Sequence, residues 1–292
     1  MRTRFLATVC VAAVAAFAAP ALAVADADMD TPSMSGDDGH DHKDLHAIGL
    51  TKDQRLVEFE VADPSKAWGV GKVSGLSGDS KLVGIDFRVQ NEMLYGVGDK
   101  GGIYTLSTKN AKAMKVSQLT IALAGSYFGV DFNPAANRLR VISDTGQNLR
   151  HNIDGATPLG TTMDGTLTNP TTPPSTAMAV TGAAYTNNDL NTATATSLFD
   201  IDTMADRVSI QSPANAGNLA PTGSLGINAG PDAGFDIYFN AKKNTNTGYA
   251  TLDNGSGHRL YEVNLLTGGV RSMGGFADGG QVTDIALPLN QD

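Results

Sequence analysis

Three arginines fall within thirteen residues of the stretch YFGVDFNPAANRLRVISDTGQNLRHNIDGA: Arg138, Arg140 and Arg150. Guanidinium groups gathered in an acidic chain can grip a carboxylate or phosphate through paired N–H donors, and Gln147 and Asn148 add amide donors beside them. Two outcomes are open. An internal carboxylate neutralises the arginines, Asp131, Asp144 and Asp154 being nearest in sequence, or a bound anion does so: a sugar acid, a phosphate or an acidic partner protein. A second set is Asp86, Asp131 and Asp236, which share one register in a recurring Gly-apolar-Asp motif. Three carboxylates at one level suit a hard cation, which makes calcium the candidate cofactor. The plainer alternative is that each accepts backbone N–H groups from a neighbouring element.

Those residues must be positioned by strands. Beyond Leu45 there is no helical period, only short alternating apolar runs broken by Gly, Asn, Asp and Thr, which reads as all-β. The runs repeat. The opening GIDF at Gly84 returns as GVDF at Gly129, GAAY at Gly182, GFDI at Gly234 and, degraded, as DIAL at Asp284, in steps of 45, 53, 52 and 50 residues. Periods of this length, each holding an opening strand, a hairpin and a last strand, indicate β-propeller blades. The final copy has only its opening strand, VTDIALPL, whereas residues 45–76 match the remainder of the unit, residues 94–119. The expectation is therefore a single domain over 45–292 with five four-stranded blades, the last closed by both termini. A sixth blade is the alternative if the long third unit, with loops at 187–196 and 211–226, hides a small extra one.

Opening strands of a propeller line its axis, so Asp86, Asp131 and Asp236 should approach one another there, with Ala184 and Ala286 in the other two copies. In the hairpins, Tyr95 and Tyr104 of the first unit and Tyr249 and Tyr261 of the fourth align with Arg140 and Arg150 of the second. With a turn at Asp144-Thr145-Gly146, the two arginines face each other where the other units are expected to carry an aromatic pair. Facing cations repel, so something anionic should sit between them.

The ends of the chain bear on compartment. Met1–Ala23 has two arginines, an apolar run from Phe5 to Ala19 and an Ala-Leu-Ala box, the layout of a secretory signal peptide. The run is shorter than the roughly 20 residues of a spanning helix, so no membrane span is expected after its removal. Residues 24–44 hold seven aspartates, His40 and His42 and almost nothing bulky and apolar, and read as a disordered leader. Its Asp26, Asp28, Asp30 and Asp37 mimic calcium-loop spacing, but Thr31 and Pro32 break the loop, and His40, His42 and His46 offer at most loose capture of copper or zinc. The sole cysteine, Cys10, lies in the signal segment, so disulfides and thiolate metal sites are excluded from the domain. Without Arg2 and Arg4 the chain carries 19 basic against 30 acidic residues, a net charge of −11, a poor match to nucleic acid. A periplasmic or extracellular location follows.

The segments LVGIDFRVQNEMLYGVG, FGVDFNPAANRLRVISDTGQNLR, VTGAAYTNN and GFDIYF resemble the bacterial exported family known as domain of unknown function 4394 over roughly residues 45–290. The resemblance implies an exported, propeller-like domain and brings no activity or catalytic residues with it. The Asp- and His-bearing leader and the degenerate GAAY unit depart from the family pattern. No Gly-x-Ser-x-Gly elbow is present, and besides His46 at the start of the domain the repeats hold only His151 and His258. The leading expectation is thus a non-catalytic module that binds a partner or small ligand. The alternative is a metal-assisted hydrolase with its cation near the axis.

Overall fold

The structure is a computed structural model that describes residues 45–154 and 160–291. The expected signal peptide at 1–23 and the expected leader at 24–44 lie outside the described residues. Strands β1 (His46–Thr51), β2 (Arg55–Glu60) and β3 (Asp63–Lys72) come first, then β4 (Leu82–Arg88), β5 (Met93–Gly98), β6 (Gly102–Leu106) and β7 (Ala113–Gln118). They are followed by β8 (Phe128–Asn133), β9 (Arg138–Ser143), β10 (Asn148–His151) and β11 (Thr161–Met163), and by a two-stranded hairpin of β12 (Thr168–Asn169) and β13 (Ser175–Thr176). The chain then forms β14 (Val180–Tyr185), β15 (Leu198–Asp202), β16 (Arg207–Gln211) and β17 (Leu219–Ser224). Last come β18 (Ala233–Asn240), β19 (Thr245–Asp253), β20 (His258–Val263), β21 (Val270–Gly275) and β22 (Val282–Ala286). No helix among the described residues is long and apolar enough to cross a membrane.

The strands form five four-stranded antiparallel sheets: β4-β5-β6-β7, β8-β9-β10-β11, β14-β15-β16-β17, β18-β19-β20-β21 and β22-β1-β2-β3. These are blades one to five of a β-propeller. Their inner strands touch in sequence, β4 to β8 to β14 to β18 to β22 and back to β4. The fifth blade joins the two ends of the chain, since β22 pairs β1 with Ile48 opposite Ala286 and Leu50 opposite Asp284. The long third unit hides no sixth blade: residues 211–226 carry β17, and the only further sheet among the described residues is the small β12-β13 hairpin.

The glycine of each repeat now has a cause. A methyl group on Gly84 would come within 2.4 Å of Val130 Cγ2, one on Gly129 within 2.7 Å of Ala183 N, and one on Gly234 within 2.4 Å of Asp284 Cα. Neighbouring inner strands cross there too closely for any side chain. Apolar residues outside this hub fill the wedges between blades as five clusters, one per junction. Ile48, Leu50 and Leu56 pack with Ile85, Phe87 and Leu94 between blades five and one, and Tyr95 meets Phe132 edge-on at 5.1 Å between blades one and two.

Deletion of residues 280–292 removes β22, the inner strand of the blade that closes the ring. The truncated chain should lose its single cooperative unfolding transition and bind a hydrophobic dye; a denaturant curve superimposable on the parent's would refute closure by this strand.

Candidate functional site

The arginine hairpin is built as its turn dictates. Arg140 on β9 stands opposite Arg150 on β10, and one carboxylate neutralises both. Asp164 Oδ2 lies 2.6 Å from Arg140 Nη1, and Arg150 Nε donates to both Asp164 oxygens at 2.9 Å. Arg140 also donates to Asn148 Oδ1 at 2.7 Å, to Asn215 Oδ1 at 2.7 Å and to the Tyr185 hydroxyl at 3.2 Å, so it ties blade two to blade three. The Arg140 and Asp164 side chains are only 3% and 4% exposed. Arg140, Asn148 and Arg150 therefore come together. Arg138 and Gln147 do not join them: Arg138 caps the Ala136 and Asn137 carbonyls, and the Gln147 amide bridges Ala122 O and Ala124 N.

The expected neutralising carboxylates are engaged elsewhere. Asp144 accepts the Ser126 N–H, Asp154 pairs with Arg88, and Asp131 accepts the Tyr185 backbone N–H. The expected aromatic pair is also absent. Tyr95 faces Thr105 and Tyr249 faces Glu262, while Tyr104 faces Gly96, one residue along and so on the other face of the sheet. Arg150 thus takes the place of Thr105 and Glu262, not of Tyr104 and Tyr261. Asp200 on β15, opposite Ala183 and Ser209, had no signal in the sequence. It is wholly buried with neither oxygen partnered, and burial drives its pKa well up despite the pull of Arg140.

The axial aspartates converge. One oxygen from each of Asp86, Asp131 and Asp236 lies within 4.8 Å of the others, and all three side chains are buried. Each also reaches the next blade: Asp86 Oδ2 accepts the Phe132 N–H at 2.7 Å, Asp131 that of Tyr185, and Asp236 Oδ2 that of Leu287 at 2.6 Å. Asp284 completes the set by accepting the Ile85 N–H at 2.7 Å. It escaped notice because it stands in the glycine register, two residues before Ala286. At the remaining junction, where Ala184 offers no acceptor, Asn188 donates to Ile237 O at 3.1 Å instead. Burial, then mutual repulsion with Asp236, pushes Asp86 well up; burial, then Asp86 and Asp236, does so for Asp131. Burial, opposed by its backbone donors, raises Asp284 well above its ordinary range and brings Asp236 to about 6. No cationic side chain figures among the interactions that set these four shifts.

One mouth of the axis opens where the inner strands begin. It is a depression of about 260 Å³ lined by Lys52, Gln54, Lys81, Tyr127, Thr181 and Asp232 among others. Gln54 clamps the start of β4 by exchanging hydrogen bonds with the Leu82 backbone at 2.6 and 3.2 Å. Lys52 and Lys81 are exposed, and neither ammonium has an ion-pair partner among the described residues. Thr181 is wholly buried, yet its hydroxyl has no hydrogen-bond partner. Asp232 stands 3.8 Å from His258 Nε2; burial raises its pKa against the pull of His258, Lys52 and Lys81. Sequence comparison missed this mouth because it weighed the residues after each repeat glycine. Those just before it, Lys81, Tyr127, Thr181 and Asp232, crown the axis.

Two outcomes follow. Asp164→Asn leaves the buried Arg140 without its counter-charge and should cost about 3–5 kcal/mol in denaturant unfolding, whereas Arg150→Ala, at a side chain 37% exposed, should cost no more than about 1 kcal/mol. The axial carboxylates set a pH slope. Their folded pKa values exceed the unfolded ones, so their contribution to stability is complete below the ordinary carboxylate pKa and is lost as pH rises through the folded value, about 6 for Asp236. In metal-free buffer the melting temperature of Asp236→Asn should therefore fall less steeply than the parent's between pH 4 and about 7. Parallel curves would show that Asp236 does not titrate in this window.

Against solved structures the chain shows low-identity similarity. A protein from Lactobacillus plantarum is 15% identical over 79% of this chain and 66% of its own, with a TM-score of 0.41. A protein of unknown function from Bacteroides thetaiotaomicron is 14% identical over 85% and 68%, with a TM-score of 0.44. An auxiliary nutrient binding protein from Bacteroides ovatus is 10% identical over 71% and 56%, with a TM-score of 0.42. The chain thus spans about two thirds or less of these structures. No curated protein matches it. The family model described as Domain of unknown function (DUF4394) matches residues 55–286, and the chain belongs to that family.

Proposed function

We propose that this protein is an exported, non-catalytic binding module that takes a small anionic ligand bearing hydroxyl groups, such as a sugar acid or a phosphate ester, in the axial mouth. The observation that carries the reading is a depression lined by two exposed lysines, Lys52 and Lys81, against one carboxylate, Asp232, with neither ammonium in an ion pair among the described residues. Lysine ammoniums are mobile point charges suited to a carboxylate or phosphate entering from solvent. The pocket, near 260 Å³, lies below the roughly 300–1,000 Å³ of sites for drug-sized molecules and suits something smaller. The arginine hairpin is not offered as the anion site, because Asp164 already occupies both guanidiniums. A hydrolytic reading of the axial aspartates is disfavoured by their exposure of 1–4%, which keeps substrate from reaching them.

The test is calorimetric titration with gluconate, galacturonate, citrate and inorganic phosphate. At least one should bind, and Lys52→Ala and Lys81→Ala should each weaken it about tenfold, as the loss of one charge-assisted contact implies. Equal affinity in the parent and both lysine variants, or heat from neutral sugars alone, would overturn the reading.

A further inference from the structure

Beneath the mouth, and independent of any ligand bound there, we infer that the propeller axis holds a hard divalent cation, calcium by ligand chemistry, between Asp86, Asp131 and Asp236. Four observations converge on it. The first is spacing: their oxygens lie within 4.8 Å of one another, and ligands on one calcium ion, each at about 2.4 Å, are at most about 4.8 Å apart.

The second is an acceptor left over. Asp131 is 1% exposed, and its Oδ1 accepts no hydrogen bond. Its one recorded backbone donor is Tyr185, so the carboxylate has an oxygen to spare. A buried anionic oxygen without a donor is costly unless a cation meets it.

The third is charge. Asp284 adds a fourth carboxylate that repels Asp86 and Asp131, and none of the four forms an ion pair with a lysine, arginine or histidine among the described residues. The fourth is preorganisation: the N–H groups of Phe132 and Leu287 fix Asp86 and Asp236 from the neighbouring blades, so orienting these two carboxylates costs little on binding.

Three carboxylates are fewer than the six to eight oxygens calcium takes, so solvent must complete the shell. That places the affinity in the weak range of extracellular modules, a dissociation constant of roughly 0.1–1 mM. The ion would stitch blades one, two and four together at the centre of the ring.

The experiment uses the full chain, stripped with a chelator and dialysed. Calcium chloride at ten times the dissociation constant should raise the melting temperature by about 3–6 °C at pH 7.5. The rise should shrink at pH 5, where protons compete for the same oxygens. Asp131→Asn should abolish the response; should that variant not fold, Asp86→Asn is read in the same way. Lys52→Ala/Lys81→Ala should keep the full response, which separates this site from the mouth. No shift in the parent, an equal shift in the aspartate variant, or loss of the shift in the lysine variant would each overturn the inference.

Discussion

Five inner strands converge on one axis, and each carries backbone N–H groups that no strand of the next blade can take, because adjacent blades meet face to face and do not pair edge to edge. Aspartate resolves the mismatch. Its short carboxylate reaches from one inner strand to the backbone of the next at four of the five junctions, through Asp86, Asp131, Asp236 and Asp284. The glycines beside them let the strands come close enough for so short a side chain to bridge the gap. In a domain without cysteine this hub does the work that a cross-link would do elsewhere. Its cost is four carboxylates crowded in low dielectric, which is why they resist ionisation and why a cation is the natural complement.

The junction between blades two and three adds a polar network to its apolar cluster. At every junction apolar side chains fill the wedge, as where Tyr95 meets Phe132, and Ile142 with Val180 and Tyr185 does so here. Here Arg140 stands in the tyrosine register and enters a polar network of Asp164, Asn148, Asn215 and Tyr185. A buried ion pair contributes little net stability relative to an apolar wedge, but removing one member is severe. The arginine takes Tyr185 and Asn215 from blade three, so the network ties these two blades specifically.

The periodic part of this architecture was legible because each blade must solve the same packing problem. Gly84, Gly129, Gly182 and Gly234 recur since the hub admits nothing larger, and counting strands from them gave five blades and the blade shared by both termini. The convergence of Asp86, Asp131 and Asp236 followed from their common register. Legibility ended where the chain leaves the repeat. Asp164 lies after β11, in a stretch with no counterpart in sister units, so nothing in the periodicity pointed to it. Equating Arg150 with Tyr104 was an alignment one residue out, and in a strand one residue exchanges the two faces. Asp284 was obscured because it replaces a glycine and not an aspartate.

The shared blade also imposes an order of events on a growing chain. Strands β1 to β3 precede the other described strands in sequence, yet their inner neighbour β22 begins at Val282, 231 residues after β1 ends at Thr51. At about 5–20 residues per second, synthesis leaves β1 without that neighbour for roughly 10–50 s. During that interval its apolar sequence, HAIGLT, presents an open edge of the kind that recruits other strands. The ring cannot become a ring until β22 docks on β1, so the domain stays incomplete until two strands 231 residues apart in sequence have met.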